Sequence, residues 1–159
     1  MALNAATARA QTLDGAGDRT DAGLPPSRPA VKVRVWLCPK GLLMSRILVV
    51  DDDEGVRALF EAVLGAANHE VDAAATVKAA LAFFEHNSYD LVLADLMLPD
   101  GSGIRVAEEA QRRGTPTIIL TAYGHRFRNT DLARFRLMLK PVRPDELLEA
   151  VAKALGRAE

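Results

Sequence analysis

The sequence predicts an α/β fold in which helices cover both faces of a parallel β-sheet. From Arg46 onward, apolar runs of strand length alternate with segments whose apolar residues recur at helical spacing. The apolar runs are continuous, which is typical of strands buried on both faces of a parallel sheet. This alternation requires right-handed crossovers and indicates a doubly wound sheet.

Five strands are expected, each followed by a helix. The apolar runs that predict the strands are residues 47–50, 71–74, 91–94, 117–120 and 137–139. Thr76 is placed to cap the second helix, Ser102 opens the third, and Pro144 suits the first turn of the last. The segment 123–135 should hold the fourth helix, but it is polar and arginine-rich, so that helix is expected to be short or irregular.

Length and composition limit the class of protein. The 159 residues fit one domain, and a formal net charge of -1 argues against a nucleic-acid-binding surface. A single cysteine, Cys38, allows neither an intrachain disulfide nor a cysteine-rich metal site. No apolar run approaches the roughly 18 residues that span a membrane, and the N-terminus lacks the pattern of a secretory signal. We therefore expect a soluble, cytoplasmic protein without direct nucleic-acid or membrane partners.

Residues 1–44 differ in composition from the rest. Residues 1–30 are mainly Ala, Gly, Thr, Asp and Pro, and Pro25, Pro26 and Pro29 exclude a regular helix at their end. Residues 31–37 alternate as a strand would. We expect 1–44 to be a disordered extension and 45–159 to be the folded domain. Because the fold begins directly after Met44, one hypothesis is that Met44 is the native start.

Polar residues follow four of the predicted strands. The first strand ends in Asp51, Asp52 and Asp53, the third in Asp95, the fourth in Thr121 and the fifth in Lys140. Ligands of doubly wound folds bind beyond the carboxyl ends of the strands, so these side chains are expected to converge.

Their chemistry indicates phosphoryl transfer. Neighbouring carboxylates cannot all stay charged without a counter-ion, and oxygen ligands of this kind suit Mg²⁺. Lys140 adds a positive charge and Thr121 a hydroxyl donor, which together can neutralise a phosphoryl group in transfer. One carboxylate could act as the nucleophile and form an acyl phosphate.

From about Ser45 onward, the chain resembles a response regulator receiver domain, a module of two-component signalling. The resemblance is carried by four motifs in order, each at a strand end: ILVVDDD at 47–53, DLVLADLMLPDGSG at 90–103, ILTA at 119–122 and LKP at 139–141. It implies a flavodoxin-like sheet with strand order 2-1-3-4-5.

The resemblance also implies a role for each site residue. Mg²⁺ would be held by Asp51, Asp52 and Asp95 and by the backbone carbonyl of Met97. Asp95 would accept a phosphoryl group from a phosphohistidine.

The remaining implied roles concern the bound phosphoryl group and the partners. Thr121 would bind one of its oxygens, and Lys140, followed by a cis bond to Pro141, would pair with it. The phosphate donor would be a sensor histidine kinase or a histidine phosphotransfer protein, and the output would be altered binding to another protein rather than enzymatic turnover.

One position departs from the family pattern, and two others bear on the lifetime of the phosphorylated state. Leu137 stands where receivers usually carry Tyr or Phe, so aromatic switching is not expected. Met97 and Tyr123 are bulky at positions that tune hydrolysis of the acyl phosphate, which predicts a long-lived phosphorylated state.

Two other functions remain open at this stage. A haloacid-dehalogenase-type phosphatase would place its nucleophile in Asp51–Asp53, and phosphate monoester turnover with labelling of Asp51 would identify it. A pseudo-receiver would bind partners without phosphate. Asp53 is expected to cap the first helix, and Asp72, Asp90 and Asp100 are expected to be turn or edge residues.

Overall fold

A five-stranded, wholly parallel sheet forms the centre of the computed structural model, which describes residues 36–37, 43–122 and 132–156. In chain order its strands are β1 (Arg46–Val50), β2 (Glu70–Ala74), β3 (Leu91–Asp95), β4 (Thr117–Thr121) and β5 (Arg136–Leu139). Their spatial order is β2-β1-β3-β4-β5, with parallel pairing throughout. The predicted order 2-1-3-4-5 is confirmed.

Helices lie on both faces of this sheet. They are α1 (Glu54–Ala66), α2 (Val77–His86), α3 (Gly103–Arg112) and α4 (Pro144–Ala154). Side chains alternate across β1, so Leu48 and Val50 pack with α2 and α3, whereas Ile47 and Val49 pack with α1 and α4. Both faces of the sheet are therefore buried under helices, as the continuous apolar runs indicated.

Helix starts follow the local signals in the sequence. Asp53 accepts a hydrogen bond from the Val56 N–H, Thr76 from the Ala79 N–H and Ser102 from the Ile104 N–H. Pro144 occupies the first turn of α4, as predicted. Leu59 on α1 and Leu148 on α4 are apolar residues at helical spacing with the buried ones, yet both are exposed.

Two sequence predictions fall mainly outside the described residues. The expected fourth helix overlaps 123–131, and most of the expected N-terminal extension lies in 1–35 and 38–42. Within the described part, Trp36–Leu37 pairs antiparallel with Leu43–Met44. Among the helices of the described ranges, none combines the length and the apolar character that a membrane span requires.

Candidate functional site

Four neighbouring strands end at one edge of the sheet and carry the polar residues singled out in the sequence. Asp51 follows β1, Asp95 ends β3, Thr121 ends β4 and Lys140 follows β5. Because β1, β3, β4 and β5 are successive neighbours in the sheet, their carboxyl ends lie side by side. The predicted convergence is thus a consequence of strand order.

Asp51 is the most deeply buried charged group of the site. Its side chain has no solvent exposure. One carboxylate oxygen accepts a 2.9 Å hydrogen bond from the Asp53 N–H, and the other accepts a 2.5 Å hydrogen bond from the Lys140 ammonium. Burial raises the pKa of Asp51 above its usual value, although the hydrogen bond from Lys140 opposes that shift.

Lys140 joins Asp51 to Asp95. Its Nζ donates to Oδ2 of Asp95 at 2.6 Å, and its side chain is 20% exposed, compared with 13% for Asp95. Burial alone would lower the pKa of Lys140, but its hydrogen bonds to the two aspartates raise that pKa above the usual value. The ammonium is therefore held charged between two carboxylates.

Asp52 completes an acidic cluster with Asp51 and Asp95. One carboxylate oxygen from each of the three residues lies within 4.8 Å of the others. Asp52 is exposed to solvent, whereas Asp51 is buried. The cluster holds three carboxylates, of which Lys140 contacts two, and all the potential ligand atoms are oxygens, so the set suits a hard divalent cation.

Thr121 lies beside Lys140 at the ends of β4 and β5. Thr121 pairs in register with Leu139, and its carbonyl accepts a 2.9 Å hydrogen bond from the Lys140 N–H. The Thr121 residue is buried. The peptide bond between Lys140 and Pro141 is cis.

The loop that follows Asp95 is held close to the acidic cluster. Asp95 Oδ1 accepts a 3.1 Å hydrogen bond from the Met97 N–H, and the Met97 residue is 61% exposed. The Gly103 N–H donates to the Leu96 carbonyl at 3.0 Å. A Cβ on Gly103 would lie 1.9 Å from the carbonyl oxygen of Asp95, so only glycine fits there.

Sequence reasoning missed two features of this loop. The close approach of Gly103 to Asp95 was not predicted, although glycine at the first position of a helix could have indicated it. Asp100 lies in a turn, as expected, but its carboxylate also accepts hydrogen bonds from the Val77 and Lys78 N–H groups at 2.8 and 2.9 Å. No local signal indicates a partner more than twenty residues away in the chain.

The same span of the chain matches a known family. Residues 47–152 match the sequence profile described as the response regulator receiver domain. The chain belongs to this family. It is therefore a receiver domain of the two-component type, and the resemblance found in its motifs is confirmed.

Several relatives and solved structures resemble this receiver domain. It is 36% identical over 115 residues to the response regulator protein PilR of Pseudomonas aeruginosa and 35% identical over 118 residues to the transcriptional regulatory protein ResD of Bacillus subtilis. These alignments cover 69% and 72% of the chain but only 26% and 49% of the relatives. The chain thus spans about half or less of the length of these two curated relatives.

Among solved structures, the receiver resembles the response regulator TrrA of Thermotoga maritima, crystallised in complex with Mg²⁺ and BeF. The TM-score is 0.65 at 36% identity, with 70% of this chain and 100% of TrrA covered. A CheY-like receiver domain from Methanospirillum hungatei gives a TM-score of 0.66 at 32% identity, covering 71% of this chain and 94% of that one.

Two positions singled out in the sequence, Leu137 and Tyr123, bear on aromatic switching and on hydrolysis of the acyl phosphate. Leu137 lies on β5 and is 43% exposed. Tyr123 lies outside the described residues, so slow hydrolysis of the acyl phosphate stays a prediction.

Proposed function

We propose that this receiver takes a phosphoryl group onto Asp95, with Mg²⁺, and thereby alters its affinity for a partner protein. The donor is a phosphohistidine on a sensor histidine kinase or a histidine phosphotransfer protein. The observation that carries the proposal is the cluster itself, in which Lys140 contacts Asp51 and Asp95 while three carboxylates lie within 4.8 Å.

Asp95 suits the role of nucleophile because of its exposure and its partners. Its side chain is partly open to solvent, whereas that of Asp51 has no exposure. In the proposed transfer, an Asp95 carboxylate oxygen forms a bond to phosphorus while the bond from phosphorus to the histidine nitrogen breaks. The histidine leaves with the electron pair of that bond.

The chain's other residues would stabilise the transferred group. Lys140 already contacts Asp95 Oδ2 and would pair with a phosphoryl oxygen after transfer. Thr121, beside Lys140 at the end of β4, would donate its hydroxyl to another oxygen. Both groups sit on strand ends, which hold them in position without a large rearrangement.

Mg²⁺ would be held by Asp51, Asp52, Asp95 and the carbonyl of Met97. When bound, it would neutralise carboxylate and phosphoryl charge. Two observations support this assignment. The potential ligands are all oxygens, and the similar receiver TrrA was crystallised in complex with Mg²⁺ and BeF.

The burial of Asp51 argues against a phosphatase, and the intact acidic cluster argues against a pseudo-receiver. A phosphatase that used Asp51 as nucleophile would need an accessible carboxylate, whereas both oxygens of Asp51 accept hydrogen bonds and the side chain is buried. A pseudo-receiver would not require the intact cluster. Receiver chemistry on Asp95 therefore accounts for more of the site.

Intact mass after incubation with Mg²⁺ and acetyl phosphate tests the proposal. We expect one added phosphoryl group on the wild-type protein and none on Asp95→Asn or in the presence of a chelator. Asp53→Asn is the matched control, because Asp53 caps α1 and lies outside the cluster, and it should be labelled normally. An added phosphoryl group on Asp95→Asn, or none on the wild type, would contradict the proposal.

A further inference from the structure

The loop between β3 and α3 forms a small hairpin with Asp100 in its turn. Met97–Leu98 pairs antiparallel with Gly101–Ser102, so Met97 lies on one arm and Asp100 between the arms. The Asp100 carboxylate extends to a different part of the chain and accepts hydrogen bonds from the first two N–H groups of α2, those of Val77 and Lys78.

We propose that Asp100 is a positioning residue for the metal site, which holds the Met97 carbonyl in place by fastening this hairpin to the N-terminus of α2. The inference rests on the proposed function, in which that carbonyl is a Mg²⁺ ligand. Mg²⁺ demands nearly ideal octahedral geometry, so its affinity is sensitive to small displacements of a ligand.

The hairpin has four described points of attachment, one of which is Met97 itself, whose N–H donates to Asp95 Oδ1. At the base, the Gly103 N–H donates to the Leu96 carbonyl. On the inner side, the Leu98 side chain packs in the core cluster that contains Val77. At the turn, only the Asp100 hydrogen bonds are described. Without them, the arm that carries Met97 would keep its attachment at the base, the packing of Leu98 and the single hydrogen bond from the Met97 N–H to Asp95, and the turn would be released.

Capping of α2 alone does not account for Asp100. Thr76 already caps this helix by accepting a 3.0 Å hydrogen bond from the Ala79 N–H. Asp100 binds two other N–H groups, where the helix dipole favours a negative charge. The hydrogen bond from the Lys78 N–H lowers the pKa of Asp100 below its usual value, so the carboxylate is charged at neutral pH.

The matched pair Asp100→Ala and Thr76→Ala separates positioning from capping. Each variant removes side-chain hydrogen bonds at the start of α2, but only Asp100→Ala detaches the hairpin. Mg²⁺ is titrated into the ¹⁵N-labelled full chain, and the amide shifts of Asp52 and Met97 give the dissociation constant. Urea unfolding of the same proteins measures the loss of stability.

We expect Asp100→Ala to raise the Mg²⁺ dissociation constant about tenfold, as loss of groups that orient metal ligands commonly does. Thr76→Ala should lower the urea midpoint as Asp100→Ala does, yet keep the dissociation constant within about twofold of wild type. Asp100→Asn retains one acceptor oxygen, so its Mg²⁺ dissociation constant should lie between those of Asp100→Ala and Thr76→Ala. If Asp100→Ala does not fold, the comparison of Asp100→Asn with Thr76→Ala decides.

Equal dissociation constants for the Asp100 and Thr76 variants would overturn the inference. Failure of the wild type to take up phosphate while it still binds Mg²⁺ would refute the proposed function alone, because the metal titration decides the role of Asp100 separately. A wild-type protein that does not bind Mg²⁺ would overturn both.

Discussion

Lys140 is the residue on which the electrostatics of the site depend. A buried carboxylate such as Asp51 is costly unless a partner compensates the lost hydration. Lys140 provides that compensation and at the same time reaches Asp95. The group proposed to bind the phosphoryl oxygen is therefore also the counter-ion of Asp51 and Asp95.

Replacing Lys140 by Met should cost about 2–3 kcal/mol of unfolding free energy in a chelating buffer, because a buried Asp51 loses its charged partner. Saturating Mg²⁺ should reduce the loss by supplying another positive charge. Urea unfolding with chelator and with Mg²⁺ measures the loss of unfolding free energy in each condition. Lys153→Met is the control, since Lys153 pairs with Glu149 on the surface and should cost no more than about 0.5 kcal/mol. Equal losses for the two variants would contradict this.

Tyr89 provides a second test at the scale of one residue, at the opposite end of the sheet. Its hydroxyl donates to Asp72 at 2.8 Å, and the Arg46 guanidinium lies 5.5 Å from its ring centroid. Burial, together with the hydrogen bond to Asp72, raises the pKa of Tyr89 well above its usual value. Folding therefore favours the protonated phenol.

Because the folded-state pKa of Tyr89 is raised, the stability it contributes is complete below the ordinary tyrosine pKa of about 10 and is lost as pH rises above it. Wild type should lose unfolding free energy over this alkaline range more steeply than Tyr89→Phe. The difference in tyrosinate absorbance between the two proteins should show Tyr89 ionising above pH 10 or only on unfolding. Ionisation of Tyr89 at its ordinary pKa would contradict the assignment.

At the scale of elements, the start of α3 is packed against the end of β3. Gly103 is the first residue of α3, and its Cα approaches the Asp95 carbonyl so closely that a side chain would collide with backbone. The helix start thereby sets the path of the loop that carries Met97. A glycine inside α1, Gly65, has open space around it instead.

Alanine substitutions at these two glycines should have opposite effects. Gly103→Ala should destabilise the protein by about 3 kcal/mol, since a backbone contact must move to admit the methyl group. Gly65→Ala should stabilise it by about 0.5–1 kcal/mol, because alanine loses less conformational entropy than glycine when it takes up helical backbone. Urea unfolding measures both, and a destabilising Gly65→Ala would show that the helix start is not the special position.

At the scale of the whole molecule, metal binding and folding are linked through the strand order. The proposed Mg²⁺ ligands come from β1 and from the end of β3 and its loop, so they are brought together only when the sheet forms. A ligand that binds only the folded state stabilises it by mass action. Global stability therefore reports on the site.

At a Mg²⁺ concentration a hundred times the dissociation constant, wild type should gain about 2.7 kcal/mol of unfolding free energy. Asp52→Asn should lose most of this gain, whereas Asp53→Asn should keep it, since Asn also caps a helix and Asp53 lies outside the cluster. Thermal or urea unfolding across a Mg²⁺ series measures the gain. Equal gains in the two variants would place the ion elsewhere.

Much of the fold and the outline of the site could be predicted from the sequence. The alternation of apolar runs with helical periodicity depends on neighbouring residues, so it indicates the strands and helices directly. Local caps such as Thr76 and Ser102 were identified for the same reason. Given a doubly wound sheet, the residues after each strand had to meet at one edge.

Only the tertiary structure decided how those residues are used. Asp51 and Asp52 are adjacent and chemically identical, yet Asp51 is buried and accepts a hydrogen bond from Lys140, whereas Asp52 is exposed. Asp100 finds its partners on α2, and Gly103 meets the carbonyl of Asp95. Burial and hydrogen bonding depend on which distant segments come into contact, which no local pattern in the chain encodes.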